Sequence, residues 1–239
     1  MRTIMAAIIC LTVTTSQTGA APFLNLGFDE ANTNKLVFDN PPNVDVGFGT
    51  STDLLPGWEL QLGSILVTNY VWLNLNPTGF GLASLYDSNN YLFDTRTHLP
   101  VDGKYSFAMF PDQPIGLFSL TQTGDVPTDA QLLHFTSFGM GVQLFLNGTS
   151  IPITYTYGPR PQNLNTWIAA ASADISAYAG QMVELKFVTL PTLGTGTLLN
   201  GLDSIYFSPV PEPGTLALLM LGLSPLGLWR LRRGEWRRR

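Results

Sequence analysis

Apolar and polar residues alternate along much of the chain with a period of two, which is the pattern of β-strands. In residues 182–188, Val183, Leu185 and Phe187 share one face of an extended segment, and charged side chains lie between them. Residues 142–146 alternate in the same way. Both segments are therefore predicted to be strands with one buried face.

The dipeptide Asn147-Gly148 follows the second of these strands and is typical of a two-residue hairpin turn. Residues 151–157 are predicted to be the returning strand, and Pro152, which has no N–H to donate, favours an edge position for it. Turn-forming residues separate the other candidate strands. These are residues 105–110, 117–121, 131–138, 166–170 and 204–207.

The pattern predicts an all-β fold, because no amphipathic helix of three turns is evident before Thr215. Many short strands separated by turns are typical of an antiparallel β-sandwich, and we expect one jelly-roll-like sandwich over residues 21–209. Residues 32–52 are rich in Asn, Pro, Gly and Asp. They are expected to form a long loop within this domain and not a boundary between two domains.

Residues 1–20 are predicted to be a secretory signal peptide. Arg2 supplies a positive charge, residues 4–13 are apolar but too few to span a bilayer, and small residues precede a cleavage site after Ala20 or Ala21. Cleavage removes Cys10, the only cysteine of the chain. The exported domain must then be held together by its core and not by disulfides.

An uncharged stretch at about residues 213–229 is predicted to be a transmembrane helix, since its length just reaches the lower limit for crossing a bilayer. Pro225 is tolerated better in a membrane helix than in a soluble one, and Trp229 lies where an interfacial aromatic residue is common. The arginines that follow are predicted to be a cytoplasmic stop signal, which places residues 21–209 outside. They are Arg230, Arg232, Arg233, Arg237, Arg238 and Arg239.

Pro211, Glu212 and Pro213 stand at the start of this segment. The order of Pro-Glu-Pro, short span and arginine-rich end over residues 210–239 resembles the PEP-CTERM sorting signal of Gram-negative bacteria. The resemblance implies that the three residues form a sorting motif for an exosortase, a membrane enzyme that processes such tails. It further implies export across the inner membrane, a membrane-anchored form before processing, and then a place at the cell surface or in the extracellular matrix.

Segments near both ends of the body resemble galactose-binding-like jelly rolls. The sequence Asn-Leu-Gly-Phe-Asp-Glu at residues 25–30 is similar to their opening, and Leu-Pro-Gly-Trp at residues 55–58 to a motif that follows it. Residues 174–181 and 202–207 are similar to their closing strands.

This resemblance implies loops that bind sugars and a structural calcium ion, whose ligands by position would be Glu30 and Asp203. Ser204 stands where such domains often have a second acid. From the residues alone, both carboxylates fit equally well as solvated strand ends or caps. No other cofactor is predicted.

The distribution of charge excludes a nucleic-acid-binding body. Half of the 12 basic residues lie in the last ten positions, so residues 21–209 carry five basic against 15 acidic residues, a formal charge of −10. Such a domain is not attracted to nucleic acid or to an anionic membrane surface.

The sequence contains no motif for a catalytic triad, zinc protease, P-loop or dinucleotide site, so no enzyme is predicted. His98 and His134 are too few for a histidine-rich metal site, and His134 is expected to be a hydrogen-bonded structural residue. A glycan-active hydrolase needs a pair of carboxylates, and no spacing among the acidic residues selects one.

Two functions are therefore favoured for an exported protein of this kind, and a glycan-active hydrolase is the third and weakest alternative. The first is a polysaccharide-binding domain, and the second is a structural or adhesive matrix protein without a small-molecule site. Five aromatic residues are candidates for stacking on sugars, although the core is the more frequent place for each of them. They are Trp72, Tyr86, Tyr91, Tyr157 and Trp167.

Overall fold

The computed structural model describes residues 21–38, 46–75, 81–88, 100–111, 116–139, 141–157, 168–190 and 200–209. The predicted signal peptide and the segment 210–239, with its sorting motif and arginines, lie outside these ranges. So does the predicted transmembrane helix at about 213–229. Within the described ranges, no helix is long and apolar enough to span a bilayer.

The described residues form mostly short strands. In chain order they are β1 (Val37–Phe38), β2 (Gly47–Gly49), β3 (Glu59–Leu62), β4 (Ile65–Leu66), β5 (Val71–Leu73), β6 (Leu82–Tyr86), β7 (Ser106–Phe110), β8 (Phe118–Asp125), β9 (Leu132–Gly139), β10 (Val142–Leu146), β11 (Thr149–Ile151), β12 (Thr154–Tyr157), β13 (Ile168–Asp174), β14 (Met182–Thr189) and β15 (Asn200–Ser208). A one-turn helix α1 (Ser51–Leu54) and 3-10 helices at Thr33–Lys35 and Ser176–Tyr178 complete the list.

These strands form two sheets. The order of the nine-stranded sheet is β1-β2-β5-β6-β7-β15-β9-β13-β12, and that of the six-stranded sheet is β11-β10-β14-β8-β3-β4. Every strand pair described within the sheets is antiparallel except β5 with β6. The described residues confirm a mostly β, sandwich-like body dominated by antiparallel pairing.

The inner faces of the two sheets share one hydrophobic core. Val183, Leu185 and Phe187 of β14 are buried in it, as their alternation predicts, and Phe107 of β7 and Phe135 of β9 enter it from the other sheet. Phe135 and Phe187 meet edge to face, with ring centroids 5.2 Å apart. Full burial of each such side chain contributes about 1.5–3 kcal/mol, so this inner layer is the main source of stability.

The hairpin at Asn147-Gly148 forms as predicted, because β10 pairs with β11 across it. The prediction of a single returning strand at residues 151–157 is wrong. The chain leaves the six-stranded sheet after Ile151 and enters the nine-stranded sheet at Thr154, where β12 pairs with β13. Pro152 lies at this crossing, and β11 and β12 are both edge strands, so its missing N–H leaves no gap in either ladder.

The prediction of a long loop at residues 32–52 is also wrong in part. The described part of this segment contains the 3-10 helix, β1, β2 and the start of α1. Glycine permits the close pairing of β1 with β2, since a Cβ at Gly47 would lie 3.3 Å from side-chain carbons of Leu36 and Phe38. At Gly47, the glycine therefore reflects the close packing of two strands.

Both termini of the described body lie at one end of the sandwich. The C=O of Ala21 accepts the N–H of Asp125 at the end of β8, and the C=O of Ser208 accepts the N–H of Gln131. The connection after β8 is bonded to the one before β14, because Val126 donates its N–H to the C=O of Gln181. We call this the terminal end of the sandwich.

Candidate functional site

The segment that resembles a jelly-roll opening folds into a closed loop. Asn25 and Phe28 both have a positive φ, 49° and 62°. The side-chain Oδ1 of Asn25 accepts the N–H of Glu30 at 2.9 Å. The backbone C=O of Asn25 accepts the N–H of Phe28 at 3.1 Å. Phe28 is fully buried, so this tight loop places its ring in the core.

Trp58 joins this loop to the second resembling segment. Its indole N–H donates to the C=O of Asn25 at 3.0 Å, and its ring stacks on Phe28 with centroids 5.9 Å apart. Gly57 before it has a φ of +86°, which a larger residue rarely adopts. The two segments thus contact each other, and what they build is part of the core.

A β-bulge in the last strand aims Asp203 at a loop. The pairing of β15 with β9 shifts between Asp203 and Tyr206, and Ser204 has a φ of +51°. Asp203 is fully buried. Its carboxylate accepts the N–H groups of Val101 and Asp102 at 3.1 Å each, the N–H of Ser204 at 2.6 Å and the hydroxyl of Ser106 at 2.5 Å.

Burial raises the pKa of Asp203 to about 6, because a charge is poorly solvated there, and its hydrogen bonds oppose this effect. Ser106 makes the largest of these opposing contributions.

Asp29 holds the other side of the same loop. Its carboxylate accepts the N–H groups of Lys104 at 2.5 Å and Tyr105 at 3.2 Å. Gly103 has a φ of +63°, and a Cβ there would lie within 2.2 Å of the Asp29 carboxylate. We call Asp29 and Asp203 the carboxylate clamp of the loop at residues 101–105.

The environment of the predicted calcium ligands does not fit a calcium ion. Asp203 is surrounded by N–H and O–H donors, whereas Ca²⁺ needs six to eight oxygen ligands. Glu30 is exposed, and its backbone N–H binds Asn25. Across the described ranges, no group of three or more His, Cys, Asp or Glu side chains is placed to hold a metal.

His134 has the structural setting expected for it. Its Nε2 lies 2.8 Å from the hydroxyl of Ser208, and its ring stacks on Tyr206 with centroids 4.9 Å apart. His98 lies outside the described residues.

Of the five aromatic candidates, Tyr91 and Trp167 lie outside the described residues, and the other three differ in exposure. Tyr86 is fully buried and donates its hydroxyl to the C=O of Leu75 at 2.9 Å, and burial raises its pKa. Tyr157 is 59% exposed at the β12 edge. Trp72 is half-buried on the outward face of β5.

Trp72 belongs to an aromatic cluster that the sequence did not indicate. Phe48 of β2 lies directly opposite Trp72, with ring centroids 5.1 Å apart, and stacks on Tyr70 at 5.2 Å. Val37 of β1 lies opposite Phe48 on its other side, and Val37 and Tyr70 are 57% and 64% exposed. We call Val37, Phe48, Tyr70 and Trp72 the aromatic patch. Its strands are too short to show a period, so only pairing reveals it.

Comparison with known proteins concerns the tail of the chain and not its body. Residues 209–233 match the PEP-CTERM protein-sorting motif. No curated protein and no solved structure matches the chain. The protein therefore has the sorting motif of exported, membrane- or surface-associated proteins that an exosortase processes in Gram-negative bacteria. The matched segment begins directly after Ser208, the last residue of β15.

Proposed function

We propose that this protein is a surface or extracellular-matrix component whose sandwich binds polysaccharide through the aromatic patch. The sorting motif supports an extracellular place. Binding is supported by the exposed ring of Tyr70, which stacks on the half-buried Phe48, and by the half-buried Trp72, which contacts Phe48 at a tilt. The proposed role is binding and not catalysis.

Stacked rings suit a sugar because one face of a pyranose presents C–H groups. A flat aromatic face covers them without requiring a specific hydroxyl pattern. Tyr70 offers the most exposed ring of the patch, and its stacking on Phe48 holds that ring in place before a ligand arrives. Such preorganisation lowers the entropy lost on binding.

The position of the patch also supports display away from the cell. A row of directly paired residues runs from Phe48 through Trp72, Ser84 and Ala108 to Gly201. Gly201 precedes Ser208 by seven residues, about 23 Å along a strand. The patch thus lies about as far from the terminal end as Gly201 does. The sorting motif follows the last strand at that terminal end.

The test uses the purified full chain in detergent, immobilised and exposed to a panel of soluble neutral and anionic polysaccharides. Tyr70→Ala and Trp72→Ala are each expected to weaken binding about tenfold, since a stacking contact contributes about 1.4 kcal/mol. Tyr206→Ala is the matched control, because Tyr206 is 53% exposed but stacks on His134 elsewhere. Equal losses in all three variants, or binding to no glycan, would refute the proposal.

A structural or adhesive role is the second candidate, and the β12 edge favours it. Among the described strands, β12 ends the nine-stranded sheet, and its residues Thr-Tyr-Thr-Tyr are uncharged and mostly exposed. An uncharged edge strand is a template for pairing with another chain. Sedimentation of the full chain tests this role. Self-association that Thr156→Lys abolishes would support it, and a monomer at all concentrations would reject it.

A further inference from the structure

We infer that the aromatic patch selects uncharged polysaccharide chains over anionic ones, because the cation at its rim is already neutralised. This inference rests on the proposed polysaccharide binding. It concerns which chemical class of chain the patch accepts.

Lys35 and Asp53 form an ion pair at the rim of the patch. The Lys35 Nζ lies 2.8 Å from Asp53 Oδ1, although 65% of the lysine side chain is exposed. Lys35 precedes Val37 by two residues, and Val37 is paired with Phe48. α1, which contains Asp53, begins three residues after Phe48. The chain neighbours of the pair, Leu36 and Leu54, both approach Gly49, where a Cβ would lie 3.3 and 3.4 Å from their side chains. The ion pair therefore lies near Phe48, the residue before Gly49.

A backbone hydrogen bond brings α1 to the other side of the patch as well. The N–H of Ser51 donates to the C=O of Thr68 at 3.0 Å, two residues before Tyr70. The same short helix is therefore close to the segment before Tyr70 as well as to Phe48, and its charge contributes to the field at the patch.

Asp53 is held in its ionised form. Thr50 donates its hydroxyl to Asp53 Oδ2 at 2.8 Å and accepts the Asp53 N–H at 3.2 Å, as the N-cap of α1. Hydrogen bonds from Lys35 and then from Thr50 lower the pKa of Asp53. The carboxylate thus remains charged at neutral pH and compensates the ammonium of Lys35.

The other described basic residues lie away from the patch. Lys104 is in the clamped loop before β7, and Lys186 is on β14 of the other sheet. Since residues 21–209 carry 15 acidic against five basic residues, the field of the body repels an anionic chain.

Neutral hydrogen-bonding groups stand at the same rim. The hydroxyls of Thr50 and Thr52 lie 3.0 Å apart, and Asn69 donates its amide to the hydroxyl of Thr68 at 3.3 Å. Hydroxyl and amide groups exchange hydrogen bonds with sugar hydroxyls without requiring a counter-charge. The rim thus complements a neutral glycan better than a uronic-acid chain.

The test measures binding of the immobilised full chain to dextran and hydroxyethyl cellulose as neutral probes and to alginate as an anionic probe, at about 20 and 300 mM NaCl. The native protein is expected to bind a neutral probe at least tenfold more tightly than alginate at the lower salt concentration, and this preference should narrow at the higher one because salt screens the repulsion. Alginate binding of equal or higher affinity overturns the inference while leaving polysaccharide binding intact. Binding to none of the probes overturns both.

A charge variant gives a second measurement. Asp53→Asn leaves Lys35 uncompensated and is expected to raise alginate affinity at least threefold at low salt, with neutral binding unchanged. Lys35→Gln combined with Asp53→Asn is the matched control and should remove this gain. An unchanged alginate affinity in a folded Asp53→Asn variant would contradict the inference, and the native comparison stands independently if that variant does not fold.

Discussion

The buried carboxylate of Asp203 accepts the backbone N–H of Val101 at 3.1 Å, although the two residues lie 102 positions apart in the chain. Asp29 binds the following part of the same loop at Lys104 and Tyr105. A loop bound on both sides by acceptors needs no cation to fix it. The carboxylate clamp thus fixes this loop through its backbone N–H groups from two distant parts of the chain.

The first prediction concerns the pH dependence of stability. Because burial raises the pKa of Asp203 to about 6 from an ordinary 3.8, the folded state retains a proton that the unfolded chain releases between these values. The contribution of Asp203 to the free energy of unfolding is thus fully present below about pH 4 and lost as the pH rises through about 6, by about 3 kcal/mol.

Denaturant unfolding of the full chain at pH 4, 5, 6 and 7 tests this. Asp203→Asn should flatten the pH profile over this window. Asp174→Asn is the matched control, because hydrogen bonds from Ser176 lower the pKa of that exposed carboxyl and move its effect below pH 3.8. An identical slope in the native chain and Asp203→Asn would be inconsistent with the titration of Asp203.

The second prediction is that calcium does not stabilise the protein. Addition of millimolar calcium or of a chelator is expected to change the melting temperature by less than about 1 °C, since a site filled to 100 times its Kd would add about 2.7 kcal/mol and several degrees. Differential scanning calorimetry of the full chain in each condition is the measurement. A calcium-dependent rise that Glu30→Gln removes would restore the predicted ion site.

The third prediction is that Gly201→Ala is strongly destabilising. A Cβ at Gly201 would lie 1.9 Å from the ring of Phe138, which covers this position on the outer face of the nine-stranded sheet. Overpacking of this kind costs about 3 kcal/mol. Gly148→Ala is the comparison, since its Cβ would meet nothing within 4 Å and only its φ of +74° is strained.

Thermal unfolding of the two alanine variants separates clash from backbone strain. Gly148→Ala is expected to cost about 1 kcal/mol, and shortening the ring in a Gly201→Ala, Phe138→Val double variant should recover part of the larger loss. Equal losses for the two glycines would contradict the packing seen at Gly201.

The fourth prediction is that Asn200→Leu maintains or increases stability. Both polar atoms of the Asn200 side chain are buried without a hydrogen-bond partner among the described residues, as is the hydroxyl of its diagonal neighbour Ser137. Each unsatisfied group costs about 1–3 kcal/mol, which an apolar side chain of similar size avoids. A loss of more than about 2 kcal/mol in denaturant unfolding would show that the amide is bound in solution.

The alternation of apolar and polar residues predicted those strands that have one buried face and one exposed face. In β14, Val183, Leu185 and Phe187 face the core while Glu184 is exposed, so the period of two is visible in the sequence. The same local information located the hairpin at Asn147-Gly148, because a two-residue turn needs a positive φ that these residues tolerate.

The alternation of apolar and polar residues did not indicate which sheet a strand joins. Residues 151–157 look like one alternating strand, yet β11 and β12 pair with different sheets. The Tyr155 hydroxyl reaches back across this gap and donates to the C=O of Val142 in β10 at 2.9 Å. Partner choice depends on contacts between distant segments, which periodicity does not encode.

By itself, the sequence determined the alternating strands and the sorting segment at residues 210–239, because each is defined by neighbouring residues. Only the tertiary structure decided that Asp203 is buried among N–H donors and that Phe48, Tyr70 and Trp72 form one surface. Solvation of a carboxylate and stacking of rings depend on which strands become neighbours. Which strands become neighbours is determined by the burial of apolar side chains in the core that the two sheets share.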